Sequence, residues 1–236
     1  MTVQYEYVMK LIDNNHIAYL FLFCTMIDKS LCRIGVFYDG SYFTYAQIHF
    51  YAERKLGWLS FPPFHTLIEN FLREKEQGYS NYRIVYAGWY QGLYTSTKST
   101  DQQRRVDRNR HIDLMHAGIE PKYAPMSQDQ GEKGIDIAMA IDTLQIGLEG
   151  KIDIAVLVTA DGDFVPLVRA LMKHGIRVTT AYFEYESDRR KSFVSERLLT
   201  VSNYILNVSD LEKDRKNQGL FRSLFRQPDK DSVQDS

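Results

Sequence analysis

Apolar runs rich in β-branched and aromatic residues alternate with segments of helical periodicity along most of this chain. The runs that we predict as strands are RIGVFYD, YRIVYAGWY, DIAVLVTA, IRVTTAYF and NYILNV, with IEPKYAP as a shorter extended piece. Helices are predicted from about Tyr42 to Glu53 after a Gly-Ser turn, from Pro62 and Pro63 onwards, from Asp101 to His116, from Ile135 to Leu148, and over FVPLVRALMKHG and SFVSERLLTVS. This alternation indicates βαβ units. We therefore predict an α/β fold, a three-layer α/β/α sandwich around a mainly parallel central sheet.

Composition and charge identify no partner by themselves. Hydrophobic residues make up 44% of the chain and charged residues 25%, which is ordinary for a soluble globular protein. Because 29 Lys and Arg residues balance 30 Asp and Glu residues, a nucleic-acid or membrane partner has to be argued from local clusters. The two cysteines, Cys24 and Cys32, suit a reducing compartment without a disulfide framework, so we expect a cytoplasmic location.

Composition divides the chain into three parts. Residues 1–32 form an apolar N-terminal extension whose core, IAYLFLFCTMI, is shorter than the roughly 20 residues that cross a bilayer. We expect no stable membrane insertion; the extension packs on the domain, anchors it peripherally or serves a homodimer interface, and Met26 is an alternative natural start. Residues 33–209 form one domain. Residues 210–236 form a charged tail poor in apolar residues, which we expect to be flexible.

Aspartates follow two of the predicted strands and begin one of the helices. Asp39 ends the first strand in VFYDGSY, Asp161 and Asp163 follow another in VLVTADGDFVPLV, and Asp136 lies in the first helical turn of EKGIDIAMAID. Taken singly, each is explained as a turn former or a helix cap. Ligands of open parallel sheets bind outside the carboxyl ends of the strands, so the four carboxylates converge on one crevice if the two strands are neighbours.

Several carboxylates in one crevice repel each other unless a cation lies between them. Mg²⁺ and Mn²⁺ prefer carboxylate and water ligands. The six histidines are scattered and form no zinc motif with cysteine, and the sequence contains neither a G-x-x-x-x-G-K phosphate loop nor a G-x-S-x-G elbow. Metal-assisted hydrolysis is the best chemical fit, since a metal lowers the pKa of a bound water and neutralises charge on a phosphoryl oxygen.

Three stretches in this order, RIGVFYDGSYF, EKGIDIAMAIDTL and IAVLVTADGDFVPLVRALMKHGIRV, resemble the NYN domain family. More narrowly they resemble its LabA-like bacterial branch, a relative of the PIN-type nucleases, over roughly Arg33 to Val208. The resemblance implies a PIN-like fold and a Mg²⁺- or Mn²⁺-dependent ribonuclease. By motif position, the implied catalytic and metal-binding residues are Asp39, Asp136, Asp161 and Asp163.

The resemblance also implies supporting residues. Thr159, where relatives often carry serine, is expected to orient an acid or a water, and Lys133 and Ser41 to contact the substrate. Tyr42 stands where many NYN sequences carry asparagine. Asp142 matches an acidic position often seen in that helix; six positions after Asp136 it faces another side, where a solvated carboxylate is the ordinary interpretation.

Basic and aromatic side chains offer weaker indications of nucleic-acid binding. In DQQRRVDRNRH, Arg104 and Arg108 share a helix face that is either solvated and balanced by neighbouring aspartates or in contact with phosphates, and Arg105 and Arg110 lie in the same stretch. DRRK at 188–191 is a weaker candidate. Trp89, Tyr90 and Tyr94 could stack on bases, although core packing explains most such rings.

Three functions remain open from the sequence. The first is a ribonuclease that hydrolyses RNA phosphodiester bonds with metal held by the aspartates. The second, favoured by Tyr42 in place of asparagine, is a catalytically weak or inactive NYN-type regulatory or RNA-binding module. The third is a metal-dependent phosphatase or nucleotide hydrolase that uses the same acids.

Overall fold

A computed structural model of the chain describes residues 29–94, 100–126, 134–186 and 192–226. The strands are β1 Lys29–Asp39, β2 Trp58–Leu59, β3 Tyr79–Tyr94, β4 Glu120–Met126, β5 Ile154–Val158, β6 Arg177–Tyr182, β7 Tyr204–Asn207 and β8 Phe225–Arg226. The helices are α1 Gly40–Ile48, α2 Phe61–Lys75, α3 Asp101–His116, α4 Ile135–Leu148, α5 Val165–Lys173, α6 Glu196–Val201, α7 Asp210–Lys213 and α8 Gln218–Ser223. A π-helical turn, His49–Glu53, continues α1, and a 3₁₀ turn, Gly162–Phe164, precedes α5.

Six strands form one sheet in the order β4-β3-β1-β5-β6-β7, and each pair of neighbours is parallel. The chain first builds outward from β1 through β3 to β4. It then returns to the other side of β1 and builds through β5 and β6 to β7. The order therefore reverses between β1 and β5, and this is the position where open α/β sheets form their ligand crevice.

Both faces of the sheet are covered because the side chains of β1 and β5 alternate between two cores. On one face Val36 and Tyr38 pack with helices α1, α2 and α3. On the other face Phe37 and Leu157 pack with helices α4, α5 and α6. A strand buried on both faces has to be apolar nearly throughout, as the IAVLV run of β5 is. The predicted three-layer α/β/α sandwich is confirmed.

Local sequence signals placed several helices correctly. α3 spans Asp101–His116 as predicted and begins with a capping box in which Thr100 and Gln103 bond each other's backbone N–H groups. α4 spans Ile135–Leu148 as predicted, and α2 carries the expected prolines in its first turn.

The predicted Gly-Ser turn after the first strand is wrong. α1 begins at Gly40, directly after the strand, because the side chain of Asp39 caps it by accepting a hydrogen bond from the Tyr42 N–H at 3.0 Å. The α-helix ends at Ile48, and the π-helical turn covers the rest of the predicted helix to Glu53.

Residues 210–226 of the predicted flexible tail contain secondary structure. This segment forms α7, α8 and β8, and β8 pairs antiparallel with β2. Phe221 and Leu224 are buried in the core beside Phe50, and Leu211 and Phe225 pack against it, so a few apolar residues attach a mostly polar segment to the domain. Residues 227–236 lie outside the described part of the chain.

The N-terminal boundary predicted at residue 33 lies inside a strand. β1 begins at Lys29, and the side chain of Cys32 is fully buried in the core. The apolar segment before Lys29 lies outside the described residues. Within the described residues, no helix combines the length and the apolar character needed to cross a membrane.

A half-buried histidine on α2, His65, whose Nε2 atom is buried, should make the stability of the fold depend on pH. Burial lowers the pKa of His65 from an ordinary 6.5 to about 4. Between these values the unfolded chain binds more protons at His65 than the folded chain does. The free energy of unfolding is therefore highest, as far as His65 is concerned, above pH 6.5, and it decreases as the pH falls toward 4. We expect wild type to lose about 2–3 kcal/mol more than His65→Phe between pH 7.5 and 4.5. Urea unfolding at both pH values measures this; equal losses would contradict it.

Candidate functional site

Asp39 and the loop after β5 meet at the carboxyl edge of the sheet, where the strand order reverses. Tyr38 of β1 lies opposite Val158 of β5 in the parallel register, so Asp39 and Thr159 follow on neighbouring strands. The hydroxyl of Thr159 donates a hydrogen bond to Oδ2 of Asp39 at 3.0 Å. The two strands that end in the predicted aspartates, β1 and β5, are therefore neighbours in the sheet.

The carboxylate of Asp39 is held by donors on both of its oxygens. Oδ1 accepts from the Tyr42 N–H in the first turn of α1, and Oδ2 accepts from the fully buried Thr159. These contacts fix the orientation of the carboxyl group at the edge of the sheet.

The same hydroxyl continues the network to Asp161. Oγ1 of Thr159 accepts from the Asp161 N–H at 3.2 Å, and Oδ1 of Asp161 accepts from the Asp163 N–H at 2.9 Å. The second contact caps the 3₁₀ turn that starts at Gly162. A buried threonine thus joins Asp39 to the TADGD loop, and the side chains of Asp161 and Asp163 are exposed.

An open pocket of about 460 Å³ lies over these groups. Its lining residues come from the end of β1, the loop after β5 and the segment before α6: Asp39, Tyr42, Ala160, Asp161, Gly162, Phe193, Val194 and Ser195. Two of the predicted acids, Asp39 and Asp161, therefore face one cavity. Asp136 and Asp163 are not among the described residues that line it.

The donor set suits a hard cation that keeps part of its hydration shell. Mg²⁺ retains several waters and is usually bound by one or two carboxylates together with substrate phosphates. Asp39 and Asp161 supply two carboxylates at one cavity. Across the described ranges, no group of three or more His, Cys, Asp or Glu side chains is arranged to hold a metal ion, so these residues do not form an all-protein cage.

The remaining predicted residues lie on α1, α3 and α4 or outside the described part of the chain. Asp136 is exposed in the first turn of α4, after Gly134, whose φ of 87° is in the left-handed region that favours glycine. Ser41 is half-buried in the first turn of α1. Lys133 and DRRK lie outside the described residues. Arg104 and Arg108 are exposed on α3, where Arg104 pairs with Asp101.

Two of the three aromatic residues proposed for stacking, Trp89 and Tyr90, do not face solvent. Trp89 is fully buried and Tyr90 is 2% exposed, one in each core. Both therefore belong to the packing of β3, and the side chain of Tyr94 lies outside the description. An exposed ring at the pocket comes instead from Phe193.

A model of the NYN domain matches residues 33–204, which is well over half of the chain. The chain belongs to the NYN domain family. No curated protein matches it. Among solved structures, a protein of unknown function from Vibrio parahaemolyticus is similar, with 22% identity and a TM-score of 0.49 over 75% of this chain and 93% of that one. The NYN domain is a nuclease-type fold related to nucleic acids.

Arg110 supports the start of α1 in this NYN domain. Its guanidinium donates to Oγ1 of Thr44 at 2.7 Å and lies over the Trp89 ring, and Thr44 in turn donates to the carbonyl of Gly40 at 2.6 Å. A Cβ on Gly40 would come within 2.7 Å of Trp89, so only glycine fits there. Arg110 was one of four arginines in the sequence motif, and helical spacing alone gave no reason to select it.

Asp142 is part of a second polar network and is not a solvated carboxylate. It accepts from Nζ of Lys122 at 2.5 Å and from the Tyr90 hydroxyl at 3.1 Å. Lys122, Tyr90 and Asp39 occupy one row across β4, β3 and β1. Burial and the bond with Tyr86 raise the pKa of Tyr90, which keeps its phenol neutral. The network ties α4 to the same end of the sheet that carries Asp39.

Tyr42 uses its phenol to fix the chain that follows β6. Its hydroxyl donates to the Phe183 carbonyl at 3.1 Å and accepts from the Phe183 N–H at 2.8 Å. Burial raises the pKa of this phenol. In this NYN domain, the residue at the usual asparagine position therefore bridges α1 and the segment after β6.

Replacing Tyr42 with phenylalanine should destabilise the NYN domain. Phe183 is fully buried, so its N–H would lose its acceptor, and an unsatisfied buried donor costs about 1–3 kcal/mol. Urea unfolding of Tyr42→Phe measures the change. Tyr51→Phe is the control, because Tyr51 uses its ring to stack on Trp58. Equal stability of the two variants would contradict the role given to the Tyr42 hydroxyl.

Proposed function

We propose that this NYN domain is a divalent-metal-dependent ribonuclease of the LabA-like branch. One observation carries the proposal: Asp39 and Asp161 face one pocket at the switch point of a parallel sheet and are joined through the buried Thr159. Oriented carboxylates at that position suit a metal site for phosphodiester chemistry. We expect the protein to act on RNA in the cytoplasm, with Mg²⁺ or Mn²⁺.

The residues of the chain would bind and orient the reactants. Asp39 and Asp161 would hold the cation, and Thr159 and the Tyr42 N–H keep Asp39 in position. When bound, Mg²⁺ or Mn²⁺ lowers the pKa of a coordinated water and offsets negative charge on the phosphoryl oxygens. The scissile phosphodiester would lie in the pocket beside residues 193–195.

Other members of the predicted set complete the proposal. Asp163 and Asp136, both exposed near the ends of their elements, would add negative charge or further ligands when substrate is bound. By family resemblance, Lys133 and Ser41 would contact a substrate phosphate. Arg104 and Arg108 on α3 would attract the nucleic-acid backbone, a contribution that salt weakens.

A second function is favoured by the hydrogen bonds of Tyr42. Where many NYN sequences carry asparagine, the polar atom of Tyr42 bonds both backbone groups of Phe183. This supports an NYN module that binds RNA for regulation with little or no cleavage. Manganese-independent RNA binding without turnover would favour it.

Cleavage of a labelled single-stranded RNA with and without Mn²⁺ tests the first function. We expect manganese-dependent cleavage that Asp161→Asn reduces on the order of 100-fold or more, because a charge that stabilises the transition state is lost. Glu149→Gln makes the same change of charge at the end of α4 and should cleave as wild type.

Two results would contradict the ribonuclease. The first is equal cleavage by Asp161→Asn and wild type, which would identify a contaminating nuclease. The second is hydrolysis of small phosphoesters without cleavage of oligonucleotides, which would identify a phosphatase. Circular dichroism of each variant shows that the fold is retained.

A further inference from the structure

Phe193 exposes an aromatic ring at the edge of the pocket. Its side chain is 74% exposed, more than any other large hydrophobic residue in the described part of the chain. The phenylalanines buried in the two cores are 8% exposed or less. Removing an apolar ring from water is favourable by roughly 25 cal/mol per Å², so a ring displayed in this way suits a binding partner.

The backbone on both sides of Phe193 is anchored. Ser192 donates from its N–H to the Tyr185 carbonyl at 2.9 Å and from its hydroxyl to the Phe183 carbonyl at 2.8 Å. On the other side, the Ser195 N–H donates to the Ala160 carbonyl at 3.0 Å. The ring is therefore presented from a fixed backbone, which lowers the entropy that binding would cost.

This anchoring also ties Phe193 to the acidic loop. Ala160 directly precedes Asp161, and a Cβ on Gly162 would come within 2.5 Å of the Ser195 hydroxyl. The segment 193–195 and the TADGD loop are thus in close contact, and Phe193, Asp39 and Asp161 line the same cavity. An aromatic ring and two carboxylates therefore line one cavity.

We propose that Phe193 stacks on a base of an unpaired RNA strand whose phosphate lies at Asp39 and Asp161. The stacking proposal rests on the proposed function and adds that the RNA substrate is single-stranded. Stacking on an aromatic ring contributes about 1–3 kcal/mol per base and tolerates any base, since each has a π-face. Bases inside a duplex are already stacked on both sides. The site therefore selects single-stranded RNA with little sequence preference.

The test measures RNA binding separately from cleavage. All proteins carry Asp161→Asn, which is expected to prevent cleavage, and the readout is the fluorescence anisotropy of a short labelled oligouridylate. We expect Phe193→Ala and Phe193→Leu to weaken binding about 5- to 150-fold, and Phe193→Trp to retain it. Met115→Ala, which removes another exposed apolar side chain on α3, should bind as tightly as the parent protein, which carries Asp161→Asn alone.

An abasic scan of the same oligonucleotide locates the stacked base. Omitting one base should weaken binding by the parent at one position, and the same omission should have no further effect on Phe193→Ala. A duplex of equal length should bind more weakly than the single strand.

The outcomes separate this inference from the proposed function. Unchanged binding by Phe193→Ala and Phe193→Leu, together with manganese-dependent cleavage by wild type, overturns the stacking and leaves the ribonuclease. Absence of RNA binding by both the parent and wild type overturns both. Weakened binding by the two variants with retention in Phe193→Trp supports the stacking whether or not wild type cleaves.

Discussion

The parallel pairing of β1 with β5 brings two strand ends together, and the candidate site at the edge of the sheet depends on it. Tyr38 and Val158 are opposite each other in the register, so the residues that follow them, Asp39 and Thr159, emerge side by side. The hydrogen bond between these two side chains then fixes their position relative to each other. Shifting this register by one residue would turn the polar side chains toward the opposite face.

The aspartates at this edge have structural uses in addition to the chemical one that we propose. Asp39 caps α1 and Asp161 caps the 3₁₀ turn, each by accepting a hydrogen bond from a backbone N–H. Side chains that are fixed by the fold cannot turn away from one another when both are charged. A cation between them would relieve this repulsion, which is why the structural and the catalytic explanations of these aspartates reinforce each other.

The sequence predicted the layers, the parallel sheet, and the bounds of α3 and α4, because capping residues and apolar periodicity are local signals. It could not predict that Asp142 pairs with Lys122, or that Arg110 supports Gly40, since both contacts join distant segments. The secondary structure after Ser209 depends on a few buried residues in a mostly polar stretch, which composition alone does not indicate. Phe193 was missed because its apolar character alone resembles that of a core residue.

The most direct test of the central claim is to locate the metal. Crystals grown with Mn²⁺ should give an anomalous difference peak within coordinating distance of Asp39 and Asp161, and crystals of Asp39→Asn should lose it. Such a peak would establish that the two strand ends form a metal site. Occupied Mn²⁺ elsewhere in the crystal, with none between these carboxylates in the presence of bound RNA, would contradict the account.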